Sequence, residues 1–394
     1  MDRKVKEKVL ILQRIFSDYR KPVFDRLARR FDLKLLYSKN KSGIRQVSAN
    51  YAEEVPAFHY LPKETTVFQN VLAVILKFRP KVIIHEIALG AVSMYFSFIL
   101  AKLLGIKFIF WGHGFDRTKG FNPNSPGDKL RLFLMRKADA VILYGNQMQD
   151  VLKKHLPAEK LFVARNTIDT DRFLRIKEEL DERGREQVKA AIGFRHRYNL
   201  VFIGRLLEEK RPEILLNLLI KLREQGVKDV AVHFIGDGPE KEAIEQLIIE
   251  KKLRGQVFLH GSIHDPVESG KFLYAADLMV MPGYLGLSVN HAFCFSCPVV
   301  SFRQGENGPF HSPEAENIVQ NQTGYLAKND DLDDMAAWIG SYLKDDLHRS
   351  RMQQNTINLM RQECALENMV KQMSRGINYT IQENFEMQFA EEGE

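Results

Sequence analysis

Short runs rich in β-branched and aromatic residues alternate with amphipathic stretches along nearly the whole chain, and this alternation limits the fold more than any other feature. Strands are expected at Val9–Leu12, Leu33–Tyr37, Val82–His85, Phe108–Trp111, Ala140–Leu143 and Leu161–Ala164. A second set follows at Leu200–Ile203, Val230–Ile235, Val257–His260, Leu278–Met281 and Val299–Phe302. Helical spacing marks Thr66–Phe78, Ala91–Leu104 and Pro126–Lys137, then Pro212–Gln225, Glu240–Lys252 and Leu332–Leu343. Strand–helix alternation with short connections predicts parallel sheets covered by helices. Two such sets, in a chain of 394 residues, predict two doubly wound α/β domains rather than one core. The joint is expected within 166–195, where "NTIDTDRF" reads as a turn and "RIKEELDERGREQVKAAIGF" as a charged surface helix. That gives domains over 1–180 and 181–365, then a C-terminal helix and acidic tail over 366–394.

Charge is unevenly placed. Residues 1–180 carry 15 more Lys and Arg than Asp and Glu, whereas the rest carries a net −8 within a total of +7. A basic first half suits an anionic partner such as an acidic lipid face or a phosphorylated acceptor. No RRM, zinc-finger or helix-turn-helix pattern accompanies it, so nucleic acid is not expected. The apolar run Ile87–Ala101, at 15 residues, is short of the roughly 20 needed to span a bilayer, and it reads as a buried helix. The N-terminal "MDRKVKEKVLIL" is basic and then apolar for about one strand, unlike a signal peptide. Of three cysteines, Cys294 and Cys297 form a CxxC. Zinc would need two further ligands, so the pair reads as small apolar residues on a buried helix in a reducing, cytoplasmic compartment.

Three segments carry candidate chemistry. In "LVFIGRLLEEK" a strand ends in Gly204-Arg205, with Lys210 just beyond. Glycine admits a close ligand, Arg forks onto phosphate oxygens, and Lys adds a compact charge. In "VHFIGDGPE", Gly236-Asp237-Gly238-Pro239 lacks the third glycine of a dinucleotide fingerprint and reads as a structural turn. In "MPGYLGLSVNHAFCFSCPVV", Gly283 and Gly286 precede a helix expected from Leu287, and residues 281–300 hold no Asp, Glu, Lys or Arg. Amides at such a helix start suit a phosphate, and nearby carboxylates would oppose it. Carboxylates return at Glu314 and Glu316 in "PEAEN", which also reads as a simple helix start.

The order "GRLxxxK", "GDGP", "VFLHG", "ADLMVMP", "GLSVNHAFCFSCPVVSF", "TGYLA" resembles the C-terminal half of family 4 glycosyltransferases with the GT-B fold, over roughly 200 to 330. "WGHG", "ADAVILYG" and "NTIDTDRF" resemble the same family more weakly in the first half. The resemblance implies two Rossmann-like domains facing a cleft and retaining transfer of a sugar from a nucleoside-diphosphate donor to a saccharide or lipid-linked acceptor. It implies pyrophosphate contacts from Arg205 and Lys210, donor contacts from Gly204, Gly283, Gly286 and Leu287, and a catalytic His113 near the donor sugar. The family's Glu-x7-Glu falls here on Gly283 and His291, neither a carboxylate. The resemblance then turns to His291, Glu314 and Glu316 for the donor hydroxyls. Asp169-x-Asp171 spells a metal-chelating DxD of another fold, but its place at the joint reads as a cap or hinge, so neither metal nor cofactor is expected. Peripheral binding at the inner face of an anionic membrane is expected from the basic half. The competing readings are a non-catalytic GT-B scaffold that binds a sugar nucleotide and, less favoured by the motif order, a sugar-nucleotide epimerase.

Overall fold

The structure is a computed structural model that describes residues 5–38, 46–59, 67–69, 71–116, 119–306 and 310–382, without the side chains of 58, 59 and 67–69. The acidic tail anticipated beyond 385 lies outside these residues. Contacts divide the chain into two units: 5–116, 121–165 and 366–382 in the first, 119–120 and 166–365 in the second. Residues 166–180, expected with the first domain, pack with the second. The C-terminal helix, expected to stand apart, belongs to the first.

In the first unit, β1 (Lys8–Leu12) leads through α1 (Lys21–Arg30) to β2 (Asp32–Tyr37) and β3 (Ala52–Glu54). A hairpin of β4 (Ala57–His59) and β5 (Val67–Gln69) precedes α2 (Leu72–Phe78), β6 (Val82–Glu86), α3 (Val92–Leu103) and β7 (Lys107–Gly112). Then come α4 (Pro126–Lys137), β8 (Ala140–Leu143), α5 (Asn146–Leu152) and β9 (Leu161–Val163). Of the helix expected over 66–78, only Leu72–Phe78 is helical, and Val67–Gln69 is a strand. Val67 and Phe68 suit a pleated pairing better than a helical turn, and Thr66 is outside the described residues. The seven-stranded sheet runs β3-β2-β1-β6-β7-β8-β9 with parallel pairing throughout. One face packs Leu10, Ile83, Phe108 and Phe110 under Ile75, Met94, Phe98 and Met135 of α2, α3 and α4.

The second unit starts with α6 (Thr170–Arg183) and α7 (Arg185–Ala191). These are two helices where one was expected, because Gly184 breaks the run at φ 82°. There follow β10 (Tyr198–Ile203), α8 (Ile214–Glu224), β11 (Val230–Ile235), α9 (Lys241–Glu250), β12 (Val257–Leu259), α10 (Pro266–Ala275) and β13 (Leu278–Val280). The unit continues with α11 (Ser288–Cys294), β14 (Val299–Phe302), β15 (Gly324–Ala327), α12 (Leu332–Lys344) and α13 (Asp346–Gln362). Its parallel sheet runs β12-β11-β10-β13-β14-β15. Cys294 and Cys297 are buried free thiols in this core. Asp169 caps α6, accepting from the Arg172 amide at 3.3 Å. The chain then returns as α14 (Leu366–Ile381), whose Met369, Val370, Met373 and Ile377 cover the other face of the first sheet. Glu367 pairs there with Arg26 at 3.0 Å and with Arg30.

Strand order reverses between β1 and β6 in the first unit and between β10 and β13 in the second. In open parallel sheets the crevice at such a switch point, beyond the carboxyl ends of the strands, is where ligands bind.

Candidate functional site

The second switch point gathers the two segments singled out in the sequence. Gly204 ends β10 at φ 138°, and a Cβ built there would sit 2.6 Å from the Lys210 ammonium. The missing side chain is therefore what lets Lys210 lie across the strand end. Met281, beyond β13, approaches the same glycine, with its Cε at 3.9 Å from that Cβ position, and takes a weak contact from the Ser288 hydroxyl at 3.8 Å. Lys210 ends a short 3-10 turn, Glu208–Lys210. Burial and the neighbouring Arg205 charge pull its ammonium below the usual lysine range, while Glu209 opposes them. Arg205 itself is exposed. Neither side chain hydrogen-bonds or ion-pairs with any described residue. Two like charges held side by side with no carboxylate on either make a site that an anion would stabilise.

The loop after β13 is built differently from the sequence expectation. The Gly283 amide donates to the Lys210 carbonyl at 3.0 Å, and the Tyr284 amide to the Glu209 carbonyl at 2.8 Å. A Cβ at 283 would lie 2.2 Å from the Glu209 carbonyl oxygen and 2.6 Å from the Lys210 Cα. Gly283 thus locks the loop onto the turn that carries Lys210, and its own amide is already used. At the start of α11 the amides of Gly286, Leu287, Ser288 and Asn290 have no acceptor among the described residues, the first three leading into the helix. Gly283→Ala, and more so Gly283→Glu, is expected to unseat this turn. Transfer should fall in both variants, with limited trypsin cleaving faster near 205–211; unchanged cleavage and rate would show that the close approach is not needed.

Behind the loop, His311 acts as a strut that the sequence reading missed. Its Nε2–H donates to the Phe302 carbonyl at 3.0 Å, and its Nδ1 accepts the Leu285 amide at 3.3 Å. Burial lowers its pKa, which keeps the ring in this neutral form. The GDGP turn is structural: Cβ atoms at Gly236 and Gly238 would fall 1.9 and 2.3 Å from the carbonyl oxygens of Gly204 and Leu206. It braces the backbone on which Arg205 stands.

His291, Glu314 and Glu316 sit further along. His291, on α11, packs against Phe173 and Phe295 at ring separations of 4.7 and 5.5 Å, and its Nε2 is buried without a partner. Burial lowers its pKa to about 4, so it is neutral. Glu314 and Glu316 lie in a 3-10 turn, Pro313–Asn317, rather than at the start of a longer helix. Glu314 is 2% exposed and accepts a hydrogen bond from the Asn166 side chain. Asn290 of α11 donates to the Asn166 carbonyl at 2.8 Å and accepts from Asn317 at 2.8 Å. This amide network ties the start of the unit to α11, which gives Glu314 a structural employment. Glu316 is half-buried.

The first unit has its own cluster at its switch point. Arg14, after β1, grips Glu86, at the end of β6, through Nε at 3.0 Å and Nη2 at 2.7 Å. The Arg14 charge and its hydrogen bonds hold the Glu86 carboxyl low against its burial. His113 follows β7 between Gly112 and Gly114 and packs edge-on against Tyr144 at 5.0 Å. The Arg14–Glu86 pair could have been found only through the sheet order, since the residues are 72 positions apart.

Family models agree with this anatomy. "Glycosyltransferase Family 4" matches residues 16–172 and "Glycosyl transferases group 1" matches 185–359. The chain belongs to the family 4 glycosyltransferases, with the GT-B fold. A glycosyltransferase from Rickettsia africae superimposes with a TM-score of 0.70 at 13% identity, over 96% of this chain and 100% of that one. The Anabaena HepE protein in complex with UDP gives 0.66 at 15% identity, over 94% and 99%. The poly(ribitol-phosphate) alpha-N-acetylglucosaminyltransferase of Staphylococcus aureus is 31% identical over 174 residues, 42% of this chain and 33% of that protein. The curated relatives matched are spanned over only 33% to 64% of their own length.

Proposed function

We propose that this protein transfers a sugar, with retention, from a nucleoside-diphosphate donor to a saccharide or lipid-linked acceptor in cell-surface polysaccharide assembly, from the cytoplasmic side of a membrane. One observation carries the donor half of this reading: Arg205 and Lys210 stand unpaired beside the unused amides of Gly286, Leu287 and Ser288 at the second unit's switch point. As the glycosidic bond breaks, charge grows on the departing diphosphate, and preorganised donors there act on the transition state more than on the bound donor. The departing phosphate can take the acceptor's proton, so positioning replaces a strong base. His291 and Glu316 are proposed to meet donor hydroxyls, and His113 a substrate hydroxyl at the first unit's strand ends. The UDP bound by the HepE protein and the anionic polymer named for the Staphylococcus relative support the donor class and an anionic acceptor. No cofactor or metal takes part in the reaction as proposed.

A non-catalytic sugar-nucleotide binder is favoured by one observation, the lack of room for any side chain at Gly283 where the family carries a carboxylate. A panel of nucleoside diphosphates and their sugars, tested by thermal stabilisation and then by release of the diphosphate in EDTA, separates the two. The proposal expects stabilisation by one base and EDTA-resistant turnover in the presence of acceptor. Stabilisation with no turnover would favour the binder, and strict dependence on added manganese would overturn the metal-free reading.

A further inference from the structure

The run Ile87–Ala101, expected as a buried helix, is apolar on both sides. Its inner side, Met94, Phe98 and Ala101 of α3, packs on the first sheet. Its outer side shows Ile99 and Leu103, one turn apart, exposed at 57% and 78%. Leu72 and Leu76 of α2 and Leu130 and Phe133 of α4 are exposed in the same manner, each pair one turn apart. All three helices cover the same face of the sheet, so these side chains share one outer surface. Folding does not need them there, because the inner stripes already supply the core. Large apolar side chains gathered on one surface mark a place where something binds.

Charge says what binds. Lys77, Arg79, Lys129, Arg136 and Lys137 on or beside these helices are exposed and make no ion pair among the described residues. The acids among them are withdrawn: Asp128 is buried against Arg131, and Asp139 is engaged by Lys102 at 2.8 Å and Lys107 at 3.8 Å. Apolar stripes flanked by cations outside ion pairs, with no exposed carboxylate among the described residues of these three helices, match an interface of acyl chains beneath anionic headgroups. No described helix is long and apolar enough to cross a membrane, so the contact is with one leaflet surface. We propose that the outer surface of α2, α3 and α4 docks on an anionic lipid bilayer, inserting Ile99 and Leu103 between headgroups. This deepens the membrane-side reading above and rests on it only for the choice of acceptor, not for the donor site.

The test compares the full chain with the double variant Ile99→Asp/Leu103→Asp and the triple variant Lys129→Glu/Arg136→Glu/Lys137→Glu. Each is floated with vesicles of phosphatidylcholine alone and of phosphatidylcholine mixed with phosphatidylglycerol. The parent should bind the mixed vesicles and keep part of its binding in high salt, where purely electrostatic attraction is screened. The double variant should lose the salt-resistant part, with partition at least about tenfold weaker, and the triple variant should lose the salt-sensitive part. Both should melt as the parent does, since all five positions are exposed. Parent-like flotation of the double variant overturns the proposal. So does a parent that ignores vesicles but sediments as a dimer the double variant dissociates, for then a second copy covers this surface. Nucleotide stabilisation measured on the same samples keeps the two readings apart: its loss in the parent would strike the donor site alone.

Discussion

Lys210→Ala is expected to slow sugar transfer by about 10- to 150-fold, with Arg205→Ala similar, the range given by losing a charged hydrogen bond worth about 1.5–3 kcal/mol. Lys210 should cost more in kcat than in KM. Its ammonium lies over Gly204 without a carboxylate, depressed by burial, so the growing negative charge of the leaving diphosphate relieves a strain that the resting site bears. The two effects should fail to add, because both groups face one diphosphate. Gly204→Ala should imitate Lys210→Ala in part by pushing the ammonium off the strand end. Steady-state kinetics on the three variants and the Lys210→Ala/Arg205→Ala pair check this. Rates within twofold of the parent in both single variants would remove the donor from this switch point.

Acidification is expected to unfold the second unit before the first. In the first unit His85 is 3% exposed, and burial lowers its pKa to about 4. In the second, burial lowers His233 to about 3 and His291 to about 4, and lowers His260 and His311 as well. His233 is held neutral between Phe194 and Phe258, its Nε2–H donating to Asn199 at 3.1 Å and its Nδ1 accepting from His260 at 3.1 Å. The sign follows from proton counting. Below about pH 6.5 the unfolded chain takes up protons that the native rings refuse, so stability falls with pH until the native pKa values are reached. Each such ring costs roughly 1.4 kcal/mol per pH unit across that window. Over the two to three units below pH 6.5, His233 and His291 together remove roughly 5–8 kcal/mol, enough to unfold a unit at the lower end of the usual range of about 5–15 kcal/mol. The two tryptophans report separately, Trp111 from the core of the first unit and Trp338 from α12 of the second. Single-tryptophan proteins made by Trp111→Phe and Trp338→Phe should show the Trp338 transition at the higher pH. Coincident transitions, or equal denaturant midpoints at pH 7 and pH 5, would contradict the assignment.

The fold was largely legible because its cause is local. Fully buried parallel strands read as apolar runs, continuous in Ala140–Leu143 and broken only by His233 in Val230–Ile235, and the structure gives them the same limits. What misled is equally physical. Helical spacing over 66–78 could not register that Val67–Gln69 pairs with Ala57–His59, a tertiary preference overriding a local one. The outer stripe of α3 looked buried because periodicity reports how apolar a helix is, not what covers it. At the candidate donor site, residue types were legible and their packing partners were not. Gly283 was read as an amide for phosphate, whereas its role is to let two backbone segments touch. Glu314 was expected at the donor hydroxyls, and its bond to Asn166, 148 positions away, could not be read from the sequence. His311 carried no motif at all, since its two partners come from the ends of different strands.

The central claim is retaining transfer from a nucleoside-diphosphate sugar held on Arg205 and Lys210, and the anomeric configuration of the product tests it most directly. The parent protein, in EDTA, is given the α-linked donor that stabilises it best and an acceptor saccharide on a lipid carrier, and the product is followed by proton NMR from the first turnover. The account predicts an α-glycosidic signal appearing in step with the released nucleoside diphosphate, and absent with the Lys210→Ala/Arg205→Ala protein. A β-linked first product, or α-product formed at the parent rate by the double variant, would contradict it.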